Sequence, residues 1–167
     1  ADAAATIHAM DALFSLGLSL EEKQKIGVKL GADVPYCIMR GTALSEGIGE
    51  ILTELPAPPQ CHLVIAKPQI SVSTKAVYGK LRVNELAPEE HPDIDGMMAA
   101  IKNGDLDGVI ERLGNVLETV TVPDHPEISE IKEIMVENGA CGSLMSGSGP
   151  TVFGIYKDRE LAEKTCQ

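Results

Sequence analysis

A proline-rich segment places the strongest constraint on how this chain folds. Residues 55–59 read LPAPP, and three prolines within four positions are poorly suited to a helix or a central strand. Such a stretch is stiff and typical of a linker between folded parts. We therefore predict a domain boundary after residue 58, with one domain over residues 1–58 and a second over residues 59–167.

The composition allows a folded, mainly aliphatic protein. Of the 167 residues, 44% are hydrophobic, which permits a packed core, whereas only 3% are aromatic and none is tryptophan. The formal net charge of −11 argues against a nucleic-acid partner, because binding of a phosphate backbone needs clustered Lys and Arg. An acidic chain can still bind a nucleotide locally, through backbone N–H groups and a metal ion.

The cysteines give no sign of a metal site or of disulfides. None of the four lies in a C-x-x-C pair, and no histidine stands at zinc-ligand spacing from them. We expect reduced thiols in a cytoplasmic protein without a protein-bound metal. No apolar run reaches the length that spans a membrane, so we expect no membrane partner.

Hydrophobic spacing and capping residues predict a mixture of helices and strands. Ser19 and Glu22 form an S-x-x-E capping box, and Asp105 is a candidate N-cap. Helices are predicted over residues 2–16, 19–30, 74–81, 94–103, 105–120, 126–138 and 158–167. Strands are predicted over residues 36–39, 42–45, 61–66, 142–145 and 151–156, with residues 61–66 as a central strand. The pattern favours an α+β sandwich with helices on one face of a sheet.

A carboxylate on a tight turn is the first candidate for chemistry. Residues 31–35 read GADVP; Gly31 suits the end of a helix, and Pro35 biases Val34 away from helical geometry. Asp33 is thereby predicted at a helix-to-strand corner, where side chains often act on ligands. The alternative is a turn aspartate that only bonds to its own backbone.

A glycine-rich turn is the second candidate. Residues 146–151 read SGSGPT, and small side chains at Gly147, Ser148 and Gly149 let the backbone approach another group closely. Exposed N–H groups in such a turn can hold an anion. The alternative is an ordinary hairpin turn.

Two helix starts complete the candidates. A helix beginning at Ala1 and Asp2 would attract phosphate if a glycine loop preceded it, although Asp2 also suits a first turn by its charge alone. Thr74 and Tyr78 lie four residues apart on one predicted helix face and could present a hydroxyl and a ring to a ligand. The alternative is an N-cap cluster with a tyrosine at the edge of the core.

Four segments together resemble the GHMP small-molecule kinases. Residues 1–6 (ADAAAT) resemble the end of that family's phosphate loop, and residues 30–35 (LGADVP) resemble its catalytic-aspartate turn. Residues 42–50 (TALSEGIGE) are similar to the segment that follows in one member, and residues 144–153 (LMSGSGPTVF) resemble the family's third glycine motif. The matches follow the family order over nearly the whole chain.

The resemblance implies a fold and an activity. The fold is α+β: the C-terminal part of an N-terminal catalytic domain, followed by a ferredoxin-like α/β sandwich on the substrate side. The activity is ATP-dependent phosphorylation, with Mg²⁺, of a hydroxyl on a cytidine-diphosphate-linked polyol. Asp33 is implied to be the catalytic aspartate, and Thr74 with Tyr78 to line the substrate pocket. The residues implied to lie at the nucleotide are Ala1, Asp2, Gly147, Ser148 and Gly149.

The resemblance also has gaps. The sequence contains no counterpart of the family's catalytic lysine or of the glycines of its phosphate loop, and the family's last strand has no counterpart after residue 167. We therefore expect a fragment that is inactive alone. Two other interpretations stay open: a GHMP kinase for homoserine or mevalonate, and a non-catalytic α+β binding module in which Asp33 is only a turn residue.

Overall fold

The computed structural model describes residues 1–167, apart from the side chain of Glu89. The chain forms two compact units, Ala1–Pro58 and Pro59–Gln167, and the division lies inside the proline-rich segment. Each unit has its own cluster of buried apolar side chains. The two units are described separately below.

Helices and strands are distributed over both units. The helices are α1 (Asp2–Phe14), α2 (Leu20–Gly27), α3 (Val34–Met39), α4 (Thr74–Lys80), α5 (Ile94–Asn103), α6 (Leu106–Glu111), α7 (Glu118–Asp124), α8 (Glu127–Glu137) and α9 (Arg159–Thr165). The strands are β1 (Thr42–Glu46), β2 (Ile51–Leu55), β3 (His62–Ala66), β4 (Gly142–Met145) and β5 (Val152–Tyr156). Among the described residues, every helix is too short or too polar to cross a lipid bilayer.

The first unit packs its helices through small and aliphatic side chains. Ala4 and Ile7 of α1 are buried against Ile38 of α3. The predicted capping box opens α2: the Ser19 hydroxyl accepts a hydrogen bond from the Glu22 amide, and the Glu22 carboxylate accepts one from the Ser19 amide. Strands β1 and β2 form an antiparallel hairpin with Thr42 opposite Leu55.

The prediction of a strand over residues 36–39 is wrong, because these residues belong to α3. Pro35 lies in the first turn of that helix, where its missing N–H removes no helical hydrogen bond and its fixed φ favours the helical conformation. Val34 is therefore helical despite the following proline. Asp33 is the N-cap of α3 and joins two helices, rather than a helix and a strand.

The second unit is built on an antiparallel sheet. Within the described residues the strand order is β3-β5-β4, with Val64 opposite Gly154 and Ser143 opposite the same glycine on the other side. Val152 and Tyr156 of β5 are fully buried. The segment predicted as a central strand is β3, which lies at the edge of this sheet; its apolar composition does not distinguish the two positions, because pairing depends on distant segments.

The prediction of one long helix over residues 105–120 is also wrong. Asp105 caps a helix as expected, but α6 ends at Glu111 and α7 begins at Glu118. Between them, the Asn115 carboxamide oxygen accepts a hydrogen bond from the Leu117 amide at 3.0 Å. The apolar spacing continues across this break, so periodicity alone does not reveal it.

We predict that Ile128→Ala destabilises the second unit strongly. Ile128 on α8 is 0% exposed, and its truncation leaves a cavity that costs about 3 kcal/mol of unfolding free energy. Ile134 lies on the same helix and is 53% exposed, so Ile134→Ala is the matched control and should cost less than about 1 kcal/mol. Urea unfolding followed through the amide signals of β5 measures both. Equal costs for the two variants would contradict the packing described.

An ion pair joins the two helices at the start of the first unit. The Asp11 carboxylate bonds to the Lys23 ammonium at 2.6 Å and accepts a hydrogen bond from the Leu18 amide at 2.9 Å. The bond from Lys23, followed by that from Leu18, lowers the pKa of Asp11 below its ordinary value. Because the folded state holds the charged form, this group stabilises the fold above the unfolded pKa near 3.9 and ceases to do so as the pH falls through the folded value.

We therefore predict that Asp11→Asn lowers the Tm at pH 7, and that the difference from the unmodified chain shrinks below about pH 4. Glu21→Gln is the control, since the Glu21–Lys25 pair on α2 is largely exposed and contributes little. Thermal unfolding at several pH values measures the effect. A Tm difference that is constant from pH 7 to pH 3 would show that the Asp11 charge has no part in it.

Candidate active site

Asp33 is presented to solvent at the start of α3. It is exposed, and its side chain makes no capping hydrogen bond to the helix that it precedes. Its backbone carbonyl accepts the first helical hydrogen bond, from the Cys37 amide at 3.1 Å. The backbone is thus fixed by the helix, while the carboxylate remains available to an external hydroxyl.

A cavity lies between α1 and α3 in the same unit. Its volume is about 340 Å³, and Ala1, His8, Cys37 and Arg40 are among the residues that line it. The Nε2 atom of His8 is buried and has no hydrogen-bond partner among the described residues. Ala1 is the N-cap of α1, so the predicted nucleotide-side end of this helix borders the cavity.

The glycine turn joins β4 to β5 in the second unit. Gly147 has a φ of 57° and Gly149 a φ of 82°, which are backbone conformations that favour glycine. The turn is closed by hydrogen bonds from the Ser146 amide to the Thr151 carbonyl (2.8 Å) and from the Gly149 amide to the Ser146 carbonyl (3.0 Å). Within the described part of the chain, the amides of Gly147 and Ser148 donate to no protein acceptor, so they are available to an anion.

The structure brings one predicted substrate residue to this turn. The Thr74 hydroxyl lies 2.8 Å from the Ser148 hydroxyl, across a separation of 74 residues in sequence. Tyr78, one helical turn further along α4, is 61% exposed, and its ring is available to a ligand. The two residues therefore lie on a helix that contacts the glycine turn, as a shared binding site requires.

Three side chains that the sequence did not indicate form hydrogen bonds to the backbone of the turn and of the end of β4. The Asn115 amide donates to the carbonyls of Met145 (2.9 Å) and Gly147 (2.8 Å). The Glu118 carboxylate accepts from the Met145 amide (2.7 Å), and the Thr121 hydroxyl donates to the Ser148 carbonyl (3.2 Å). We call Asn115, Glu118 and Thr121 the bracket. Its members lie about 30 residues before the turn, so no local pattern reveals them.

An ion pair connects α4, which contains Thr74, to α7, which contains Glu118 and Thr121. The Lys80 ammonium of α4 lies 2.6 Å from the Asp124 carboxylate of α7. The hydrogen bond from Lys80 lowers the pKa of Asp124, and a smaller favourable charge interaction with the same lysine acts in the same direction. Both side chains are more than half exposed, so we expect this ion pair to contribute little to stability.

The candidate residues belong to separate units. Ala1, Asp2 and Asp33 lie in the first unit, whereas Thr74, Tyr78 and the glycine turn lie in the second. Asp2 is exposed in the first turn of α1. Among the described residues, no group of three or more His, Cys, Asp or Glu side chains is placed to hold a metal ion.

Comparison with known proteins identifies relatives for nearly the whole chain. Residues 97–167 match the family model described as GHMP kinases C terminal. A protein of Lachnospira eligens named 4-diphosphocytidyl-2-C-methyl-D-erythritol kinase is 55% identical over 95% of this chain and 54% of its own length. A protein of the same name from Lachnoclostridium phytofermentans is 53% identical over 98% of this chain and 55% of its own length.

Solved structures agree with the fold. A crystal structure of 4-(cytidine 5'-diphospho)-2C-methyl-D-erythritol kinase matches with a TM-score of 0.77 and 28% identity, over 98% of this chain and 57% of that one. A homoserine kinase from Cytophaga hutchinsonii matches with a TM-score of 0.80 at 20% identity, over 97% of this chain and 56% of that one, which supports the fold alone.

The chain is therefore similar to the GHMP kinases: residues 97–167, which lie in the second unit, match the C-terminal domain of that family. The curated relatives with 46–55% identity share the name 4-diphosphocytidyl-2-C-methyl-D-erythritol kinase. The predicted resemblance to the GHMP kinases and the α+β fold class are confirmed. The chain spans about half the length of the curated relatives that it matches.

Proposed function

We propose that this chain is part of an enzyme that uses ATP to phosphorylate a hydroxyl of 4-diphosphocytidyl-2-C-methyl-D-erythritol, a step in the biosynthesis of isoprenoid precursors. The observation that carries the proposal is the 55% identity to the Lachnospira eligens kinase over 95% of the chain. The similarity includes both units and is not confined to the C-terminal domain, so it covers the acceptor side and the aspartate turn together.

Asp33 is the catalytic residue in this proposal. An exposed carboxylate without a capping hydrogen bond can accept the proton of the attacking hydroxyl as that oxygen approaches the γ-phosphoryl group. The N-cap position supports this role, because α3 fixes the backbone from which the carboxylate projects.

The remaining assignments follow the geometry of each unit. The free amides of Gly147 and Ser148 suit the phosphates of ATP, with Gly149 shaping the turn and Ala1 and Asp2 at the start of α1 on the nucleotide side. Thr74 and Tyr78 suit the cytidine-linked polyol. Mg²⁺ is expected to accompany ATP, and since the described residues form no cluster of metal ligands, we assign no step to it.

A chimera tests the proposal directly. The chimera joins this chain to the part of the Lachnospira eligens kinase that the chain does not match. We expect it to consume ATP with 4-diphosphocytidyl-2-C-methyl-D-erythritol, with a kcat/KM at least about 10³-fold above that for homoserine or mevalonate, since a site built for polar groups rejects substrates that lack them. The 167-residue chain without this addition is expected to show no turnover.

Other outcomes would favour the alternatives. Preference for homoserine or mevalonate would indicate a different GHMP kinase, and a folded chimera without any turnover would favour a binding module.

The proposal also places the enzyme in the cytoplasm, which the free thiols of Cys37, Cys61, Cys141 and Cys166 support. The net charge of −11 gives no support to a nucleic-acid partner.

A further inference from the structure

We propose that Glu118 is a positioning residue for the glycine turn, and that Lys132 holds Glu118 in place. The proposal rests on the proposed function, because the turn is assigned there to the phosphates of ATP. It concerns a residue that contacts only the protein, and it explains how α7 and α8 set the conformation of a loop that neither helix contains.

The two oxygens of the Glu118 carboxylate have separate partners. Oε1 accepts a hydrogen bond from the Met145 amide at 2.7 Å, and Oε2 accepts one from the Lys132 ammonium at 2.6 Å. Met145 is the last residue of β4 and is 1% exposed, so its amide is the last one of the strand before the turn begins. The carboxylate thus ties the end of the strand to α7.

Charge makes this contact stronger than an ordinary hydrogen bond. The side chains of Glu118 and Lys132 are 19% and 25% exposed, and the Lys132 cation offsets the cost of keeping a carboxylate in this partly buried position. A hydrogen bond from a backbone amide to a charged acceptor is also stronger than one to a neutral acceptor. Glu118 is therefore the charged member of the bracket.

The consequence for the turn follows from which backbone groups are occupied. Asn115 and Thr121 bind the carbonyls of Met145, Gly147 and Ser148, while Glu118 binds the Met145 amide. The bracket therefore binds carbonyl groups of the turn and of the end of β4, and it leaves the Gly147 and Ser148 amides free. Without Glu118 the end of β4 loses this contact, and we expect the Gly147 and Ser148 amides to change direction.

Amide hydrogen exchange in the 167-residue chain tests the geometry without any enzyme assay. We expect Glu118→Ala to speed exchange of the Met145 amide by about tenfold or more and to displace the amide signals of Gly147 and Ser148. Glu118→Gln should have a smaller effect than Glu118→Ala, since the carboxamide oxygen still accepts the bond but lacks the charge that pairs with Lys132. If Glu118→Ala does not fold, Lys132→Met replaces it and should displace the same two signals. Unchanged Gly147 and Ser148 signals in a folded variant would overturn the proposal.

Turnover of the chimera tests the role in catalysis. We expect Glu118→Ala to lower kcat by about tenfold or more with little change in the KM of the polyol, and Glu118→Gln to lower kcat less than Glu118→Ala does. Thr119→Val is the control, since the Thr119 side chain is exposed and its hydroxyl bonds to the Val116 carbonyl. Equal kcat for Glu118→Ala and the unmodified chimera would overturn the role. An unmodified chimera without activity would contradict the proposed function, and the exchange experiment would still decide the geometry.

Discussion

Asp33→Asn in the chimera is expected to lower kcat by about 10²–10⁴-fold, the contribution of a positioned general base. Asparagine has nearly the same shape but does not accept a proton at neutral pH. Because Asp33 is exposed and makes no capping hydrogen bond, the change should shift the unfolding free energy by no more than about 0.5 kcal/mol. Steady-state kinetics and thermal unfolding of the same preparation measure the two quantities.

Glu54→Gln is the matched control for this prediction. Glu54 is an exposed carboxylate on β2 in the same unit, and its neutralisation should leave kcat unchanged. If Asp33→Asn retained nearly full turnover, Asp33 would be an ordinary turn residue. A parallel loss of activity and stability would instead indicate a structural role.

Gly149→Ala is expected to destabilise the second unit by about 2–4 kcal/mol, through backbone strain and overpacking together. The φ of Gly149 is 82°, and a Cβ placed there would lie 2.6 Å from the sulfur of Met145, which is itself buried. Met145 is 1% exposed, so its thioether has to shift within the core to make room for the added methyl group. Urea unfolding followed through the amide signals of β5 measures the loss.

Gly147→Ala separates the two causes. Gly147 also has a positive φ, of 57°, but a Cβ there meets no described heavy atom within 4 Å. We expect it to cost only the backbone strain, about 1 kcal/mol. Similar costs for Gly147→Ala and Gly149→Ala would show that the contact with Met145 contributes nothing.

Local signals in the sequence predicted the elements that depend on neighbouring residues. The Ser19–Glu22 capping box, the Asp105 N-cap and the hairpin around the glycine turn all rest on interactions within a few positions. The same holds for Thr74 and Tyr78, whose spacing places them on one helix. These features need no knowledge of the remaining fold.

Features that depend on distant segments were not predictable in the same way. Pro35 predicts a non-helical Val34, yet both residues lie in the first turn of α3, because a proline suits a helix start as well as a turn. The edge position of β3 is set by pairing with β5, about 90 residues later in the chain. Asn115, Glu118 and Thr121 bond to a turn in another part of the sequence, so their role requires the folded structure.

The position of the Asp33 carboxylate relative to the acceptor hydroxyl decides whether this residue is the general base. A crystal structure of the chimera with 4-diphosphocytidyl-2-C-methyl-D-erythritol and a non-hydrolysable ATP analogue measures that distance. We expect a carboxylate oxygen within about 2.6–3.2 Å of the hydroxyl that faces the γ-phosphoryl group. A bound substrate whose hydroxyl is held by other groups, with Asp33 turned toward solvent, would contradict it.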